Sequence, residues 1–165
     1  MSDYPSFPPP PPGALPPTPP SGQLATWGLR AAGYLVDLIP IVVIVVVGTI
    51  LASAAHTFFI LALAYLATFA YWIIQLVRQG NTGQTVGKKV VGLKLVGETS
   101  GAPVGVGTSI GRAFAHFVDS LICYIGWLFP LWDPKRQTIA DKIVGSVVIV
   151  VPKQPFNFAD VYTAS

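Results

Sequence analysis

The residues best suited to chemistry in this chain are charged side chains at the edges of apolar segments. Arg30 and Asp37 lie seven residues apart where the first such segment begins. In an α-helix this spacing puts both side chains on nearly the same face, about 10 Å apart along the axis, so they do not pair easily. An ionised carboxylate among lipid tails is costly without a partner, so we expect Asp37 to hold a proton, an ion or an arginine.

A second pair with the same spacing, Arg112 and Asp119, follows later in the chain. Residues 112–119 align without gaps to residues 30–37, and the two segments share Arg, Ala, Val and Asp at identical offsets. Internal duplication, which is common among transporters, would explain this match, and so would chance.

His116 lies between the two charges of the second pair, about one helical turn from each. If both helices start at the same membrane face, Asp37 and Asp119 lie at similar depth, where they would share a proton or bind a cation. His116 would then hand protons on. The alternative interpretation is that these groups only tie helices together, for example through an ion pair between Asp119 and Arg30.

The composition of the chain indicates that these charges belong to a membrane protein. Hydrophobic residues make up 52% of the chain and charged residues 10%, well below the roughly 25% charge of a soluble domain. Residues 38–77 contain no Asp, Glu, Lys or Arg, which leaves room for two spans of about 20 residues. We predict a first span near residues 27–51, a second near 57–77 and a turn at 52–56, in a multi-pass protein of the cell membrane.

Proline dominates the first residues of the chain. Residues 1–22 hold ten of the sixteen prolines. Proline lacks an amide donor and has a fixed φ, so this stretch favours polyproline II and disorder. It is either a spacer or a ligand for an SH3-like or WW-like groove. We divide the chain into a disordered proline-rich tail (1–23), a membrane domain (24–151) and a carboxy-terminal tail (152–165).

Two short stretches rich in Val, residues 90–96 and 144–151, are typical of β-strands. An isolated strand cannot leave its amides unpaired at a membrane surface, so we expect the two to pair on one side of the membrane. The basic loop at 78–98 favours the cytoplasm for that side, and for the amino terminus with it.

The third apolar segment, residues 110–131, is long enough for one span. Gly126 and Pro130 could instead break it into a re-entrant hairpin, which would keep the basic Lys135 and Arg136 in the cytoplasm. On length, we expect the straight span. The expected fold class is an all-α integral membrane protein, with a helical hairpin, a third membrane-embedded helical segment and short cytoplasmic β-strands.

Three motifs, in this order, resemble the RDD family of bacterial membrane proteins. They are Arg30 with Asp37, the stretch NTGQTVGKKVVGL at 81–93, and the stretch DPKRQTIADK at 133–142. The family is named for an arginine and two aspartates. The resemblance covers residues 24–151 and implies a membrane fold.

The resemblance assigns the family's arginine and first aspartate to Arg30 and Asp37, and its second aspartate to Asp141 rather than Asp119. Ala140 departs from the His that often precedes the second aspartate, which argues against a proton relay at that place. Transport, including cation and proton exchange, is the activity that the resemblance implies.

We expect a transporter or transporter subunit for a small cation or proton, which works as a homo-oligomer or with another membrane protein. The candidate ion- or proton-binding residues are Asp37, Asp119, His116, Arg30, Arg112 and Asp141. The alternative is a membrane-anchored interaction protein that recruits partners through its tail or its cytoplasmic loop. Neither an enzyme nor a nucleic-acid-binding protein is expected, because no nucleophile adjoins a base and no run reaches five like charges. With the single cysteine Cys123, no metal site and no cofactor are expected either.

Overall fold

Two long apolar helices dominate the structure, a computed structural model that describes residues 22–121 and 124–154. Helix α1 (Trp27–Ala54) and helix α2 (Phe58–Thr82) have 28 and 25 residues. At 1.5 Å per residue they are about 42 Å and about 38 Å long, enough to cross a hydrocarbon core of about 30 Å. Both are long enough and apolar enough to span a membrane, so the predicted helical hairpin is confirmed.

The turn between α1 and α2 lies at residues 55–57, slightly later than the predicted 52–56. The small residues Ala52, Ser53 and Ala54 continue α1 instead of ending it. The turn forms at His56, whose φ is 49°, and the hydroxyl of Thr57 accepts a hydrogen bond from the Phe59 amide. Thr57 therefore caps the start of α2.

The hairpin exposes large apolar side chains along most of its length. In water such a surface would drive association, whereas lipid tails solvate it. Among the most exposed are Tyr34, Leu35, Ile50, Phe58, Phe59 and Leu66.

Two six-residue helices that the sequence analysis missed follow the same local plan. Helix α3 (Val86–Val91) starts after a threonine whose hydroxyl accepts a backbone amide, and it ends at Gly92, whose φ is 76°. The predicted strand at 90–96 is therefore wrong at its start, because the Thr cap and the left-handed glycine hold Val90 and Val91 in a helix. Strand β1 begins only at Leu93.

A small antiparallel sheet lies beside these helices. Strand β1 (Leu93–Gly97) pairs with strand β2 (Ser146–Val150), so the predicted pairing is confirmed. Residues 23–25 pair with the other edge of β2, through Ala25 N to Val148 O and Val150 N to Gln23 O, both 2.8 Å. The predicted tail boundary after residue 23 therefore falls inside a paired segment, while residues 1–21 lie outside the described part.

The third apolar segment is bent. Helix α4 (Val106–Leu121) is followed by α5 (Ile125–Leu128) and a 3₁₀ turn (Phe129–Leu131), and the two parts meet at 109°. The straight span is wrong. A Cβ on Gly126 would lie 2.7 Å from the Cα of Asp119, so the absent side chain is what lets α5 pack back on α4.

Both ends of this bent segment lie on the sheet side of the molecule. Before α4, the Gly105 amide donates to the Gly80 carbonyl at the end of α2 (2.9 Å). After α5, the Gln137 side chain donates to the Ser146 carbonyl of β2 (2.9 Å). Both ends of the segment therefore contact the same side of the described structure, which favours the re-entrant alternative. Helix α6 (Ile139–Val144) then leads into β2.

Candidate functional site

A cavity of about 660 Å³ lies between α1, α2, α3 and α4. Four of the six predicted site residues line it: Arg30, Asp37, Arg112 and His116. The other two, Asp119 and Asp141, do not line the cavity and have no solvent-exposed surface. The structure therefore gathers the predicted residues around one place, in two layers.

Asp141 is the centre of a buried charge cluster. One carboxylate oxygen accepts from Arg30 Nη1 at 2.5 Å and the other from Arg112 Nε at 2.7 Å. Burial alone would raise the pKa of this carboxyl, but the charges of Arg112 and Arg30 and their hydrogen bonds hold it well below its usual range. Helices α1, α4 and α6 thus meet at one carboxylate. The alternative ion pair between Arg30 and Asp119 is wrong, because Arg30 binds Asp141 instead.

Asp37 holds the start of helix α3. Its two oxygens accept from Thr85 Oγ1 at 2.5 Å and from the Gly87 amide at 2.6 Å. A Cβ on Gly87 would lie 2.8 Å from the carboxylate carbon of Asp37 and would meet the Gly33 carbonyl. The glycine in the QTVGKK motif is therefore required for close approach of α3 to α1.

Asp119 and His116 form a hydrogen-bonded pair on α4. Asp119 Oδ2 lies 2.6 Å from His116 Nδ1, and Asp119 Oδ1 accepts from the Ala140 amide at the start of α6 (3.3 Å). The imidazole stacks on Trp127 with ring centroids 4.2 Å apart. Within the described residues, Asp37 and Asp119 have separate hydrogen-bond partners and share none.

The structure extends the predicted internal repeat. Residues 84–92 (QTVGKKVVG) align without gaps to residues 137–145 (QTIADKIVG). We call residues 84–97 the first unit and residues 137–150 the second unit. Each unit consists of a glutamine, a capping threonine, a six-residue helix, a left-handed glycine and a strand.

The two units also make the same contacts. The amide group of Gln84 donates to the Leu93 carbonyl at 2.8 Å, and that of Gln137 to the Ser146 carbonyl at 2.9 Å. Each helix places its second amide donor, at Gly87 or Ala140, on the aspartate of a longer helix. Equivalent contacts at equivalent positions favour duplication over chance.

Two polar residues of the cavity wall, Gln75 and Gln79, escaped the sequence analysis. Gln79 accepts from Lys88 Nζ at 2.6 Å and donates to Ser109 Oγ at 3.1 Å. Gln75 accepts from the Val86 amide at 3.2 Å. The signal that could have revealed them is their spacing, since Gln75 and Gln79 form one polar face at the end of an apolar helix.

Lys88 carries an unusual charge environment. Burial, and then the positive charges of Arg112 and Arg30, lower the pKa of Lys88 to about 8, although Asp37 and Asp141 oppose this. Lys88 occupies the position in the first unit that Asp141 occupies in the second. The first unit thus has a cation at the position where the second unit has a carboxylate.

Several donors on the cavity residues have no acceptor. Arg30 Nε and Nη2, Gln75 Nε2 and the Tyr71 hydroxyl are buried without a hydrogen-bond partner among the described atoms. A buried donor without an acceptor costs roughly 1–3 kcal/mol. Within the described ranges, no group of three or more His, Cys, Asp or Glu residues is arranged to hold a metal ion.

Comparison with known proteins identifies the family. Residues 24–145 match the RDD family. The chain belongs to the RDD family. The proline-rich antigen homolog of Mycobacterium tuberculosis (strain ATCC 25618 / H37Rv) is 34% identical over 159 residues, which cover 81% of this chain and 66% of the relative. The proline-rich antigen of Mycobacterium leprae (strain TN) is 36% identical over 150 residues, which cover 76% of this chain and 60% of the relative.

This RDD chain therefore spans about two thirds or less of the curated relatives' length. No solved structure matches it. The RDD assignment and the two apolar helices agree on a membrane-type protein. Of the arginine and two aspartates that the resemblance assigned, Arg30 binds Asp141 directly, whereas Asp37 holds α3 against α1.

Proposed function

We propose that this RDD chain is a transporter, or one subunit of a transporter, that moves a small charged solute together with a proton. The observation that carries the proposal is the His116–Asp119 pair at the wall of the cavity. A cavity of about 660 Å³ falls within the roughly 300–1,000 Å³ of small-molecule sites. Buried ionisable groups in membrane proteins commonly mark substrate and proton pathways.

The proton chemistry follows from the geometry of His116. Its Nδ1 lies 2.6 Å from Asp119, so a proton can pass between the two groups, and Nε2 remains for exchange with the cavity. Protonation would add a positive charge one helical turn from Arg112. A negatively charged solute would offset that charge, so proton and solute would each strengthen binding of the other.

The expected transport of a small cation has less support than transport of a proton. Both oxygens of Asp37 accept hydrogen bonds from Thr85 and Gly87. Both oxygens of Asp119 also have protein partners. A cation would have to displace these donors before it could bind either carboxylate.

The test is proton flux in reconstituted vesicles that contain a pH-sensitive dye. Asp119→Asn and His116→Gln should reduce flux after an imposed pH jump to the level of protein-free vesicles. Glu98→Gln is the matched control, since Glu98 forms a surface ion pair with Lys135 outside the cavity, and it should keep the flux. Unchanged flux in both Asp119→Asn and His116→Gln, with normal insertion, would exclude this proposal.

For localisation we propose the cell membrane, with the sheet and both units in the cytoplasm and the α1–α2 turn outside. The basic pair Lys88 and Lys89 in the first unit supports this orientation. In a Cys123→Ser background, His56→Cys should react with an impermeant maleimide on intact cells. Lys153→Cys should react only after lysis, and labelling of Lys153→Cys from outside would reverse the orientation.

A second candidate function is partner recruitment through the proline-rich residues. One observation favours it: Arg136 Nη1 donates to the Leu24 carbonyl at 3.0 Å, which holds the chain beside the sheet just after the proline-rich residues. Deletion of residues 1–21 should then remove a bound partner in a pull-down while insertion stays normal. Identical partners with and without residues 1–21 would count against this function.

A further inference from the structure

The charges that line the cavity are mostly positive. Arg30, Lys88 and Arg112 are cationic lining residues, and Asp37 is the carboxylate among them. Asp37 is engaged by the start of α3 through both oxygens. Asp141 lies behind the wall and binds the two arginines. The wall that faces the cavity therefore offers positive charge.

The comparison of the two units shows how this excess of positive charge arises. In the second unit, Asp141 supplies the carboxylate that two arginines share, whereas the equivalent position of the first unit supplies Lys88. Lys88 is therefore a third cation, and it lies close enough to Arg112 and Arg30 for their positive charges to act on its ammonium group. Like charges gathered in a partly buried site repel one another, and an anion relieves that repulsion.

The hydrogen-bonding groups of the wall point to the same ligand chemistry. Arg30 keeps two buried donor groups, Nε and Nη2, without an acceptor. The acceptor oxygens of Gln75 and Gln79 are already engaged by the Val86 amide and Lys88 Nζ. A ligand that supplies acceptors fits this wall better than one that supplies donors.

Most of the remaining cavity lining is apolar. Along α1 the lining continues from Arg30 through Leu38 to Ile41, and eleven residues of helix span about 16 Å. Trp27, Trp72 and Trp127 also line the cavity, and tryptophan is enriched at the headgroup level of membranes. The cavity thus has a cationic end and an apolar end.

We infer that the cavity binds an amphipathic organic anion, with its anionic head among Arg30, Lys88 and Arg112 and its apolar chain along Leu38 and Ile41. The head carries a carboxylate or phosphate group, which arginine binds in a bidentate fashion. Such a molecule is either a free amphiphile from solution or a lipid of the cytoplasmic leaflet. This inference rests on the proposed function for the location of the site and names the class of its solute.

Isothermal titration calorimetry on the full chain in neutral detergent tests the inference. The probes are octanoate, dihexanoylphosphatidylglycerol, inorganic phosphate and octyltrimethylammonium. Octanoate or the phosphatidylglycerol should bind with saturation, and the one that binds more tightly identifies the source. Inorganic phosphate lacks the chain and octyltrimethylammonium has the wrong charge, so both should bind at least about tenfold more weakly.

Three variants and one control variant locate the site. Lys88→Gln should weaken binding of the anionic amphiphile by about tenfold or more, while Lys88→Arg should restore it. Lys153→Gln is the control, because Lys153 is an exposed lysine outside the cavity. Leu38→Trp should block the apolar end and reduce binding of the amphiphile. Helix content by circular dichroism and the Tm check that each variant is folded.

Two results would overturn the inference: equal binding of octyltrimethylammonium, or unchanged amphiphile binding in folded Lys88→Gln and Leu38→Trp. Failure of the inference is separable from failure of transport. Binding without proton flux would refute only the proposed transporter, whereas flux without anion binding would refute only the amphipathic anion.

Discussion

The first unit (84–97) and the second unit (137–150) share a backbone plan but differ in the charge at one equivalent position. The second unit has Asp141, which two arginines bind within the protein. The first unit has Lys88, which lines the cavity. The difference teaches that one local structure serves two purposes: the second unit ties three helices together, and the first presents a cation to the cavity.

The largest effect should come from removing the carboxylate of the second unit. Asp141→Ala leaves Arg30 and Arg112 buried without their counter-charge, which should lower the free energy of unfolding by about 3–5 kcal/mol. Lys88→Ala, at the equivalent position of the first unit, should lower the free energy of unfolding far less. Denaturant unfolding in detergent measures both. Similar losses in the two variants would refute the division of roles.

Gly87 and Ala140 are the next equivalent pair. Gly87→Ala forces a Cβ against Asp37 and the Gly33 carbonyl, so the free energy of unfolding should fall by about 1–3 kcal/mol. Ala140→Gly adds backbone freedom, which should cost about 0.5–1 kcal/mol, and also removes one fully buried methyl group. Thermal unfolding of both variants checks the order, and a smaller loss in Gly87→Ala would contradict the close packing of α3.

A smaller and more equal effect is expected at the glutamines. Gln84→Ala and Gln137→Ala each remove one hydrogen bond to a strand carbonyl, with a cost of about 1 kcal/mol. Gln137→Ala should lower the free energy of unfolding somewhat more, because the side-chain amide of Gln137 also donates to Glu98 at 2.8 Å. If only one of the two variants changed the Tm, the units would not be equivalent.

The last expected effect is on pH dependence. The pKa of Lys88 falls to about 8 in the folded protein, against about 10.4 for an unperturbed lysine. Between these values the unfolded chain binds more protons, so the stability contribution of Lys88 rises as pH increases from about 8 to about 10. The difference in Tm between wild type and Lys88→Gln, measured at pH 7 and pH 10, should shift in favour of the wild type.

The helical hairpin and the strand pairing were predictable because local composition, and the need to pair the amides of an isolated strand, specify them. A 40-residue stretch without charge has few options other than two spans, and Val-rich stretches favour strands. Helix α3 was missed because β-branched Val90 and Val91 outweighed the capping signals of Thr85 and Gly92. The same capping signals surround α6, where the Thr138–Asp141 capping box is present.

The cluster at Asp141 could not be derived from the sequence pattern. Its partner Arg30 is 111 residues away in the chain, and no periodicity reports a contact at that distance. The bend after α4 was also missed, because length favoured a straight span whereas the packing of Gly126 on Asp119 decides the geometry. The eight-residue match of Arg112–Asp119 to Arg30–Asp37 was a real signal, but its meaning depended on where the two arginines converge.

Residues 23–25 have a consequence for any shortened version of this protein. They cover the outer edge of β2, where the Ala25 amide and the Gln23 carbonyl complete its hydrogen bonds. A truncation that removes residues 1–26 would leave backbone amide and carbonyl groups of β2 unpaired along that edge. An unpaired strand edge readily pairs with a strand of another molecule. Aggregation of such a truncated protein in detergent would result from this exposed strand edge and not from a loss of the membrane helices.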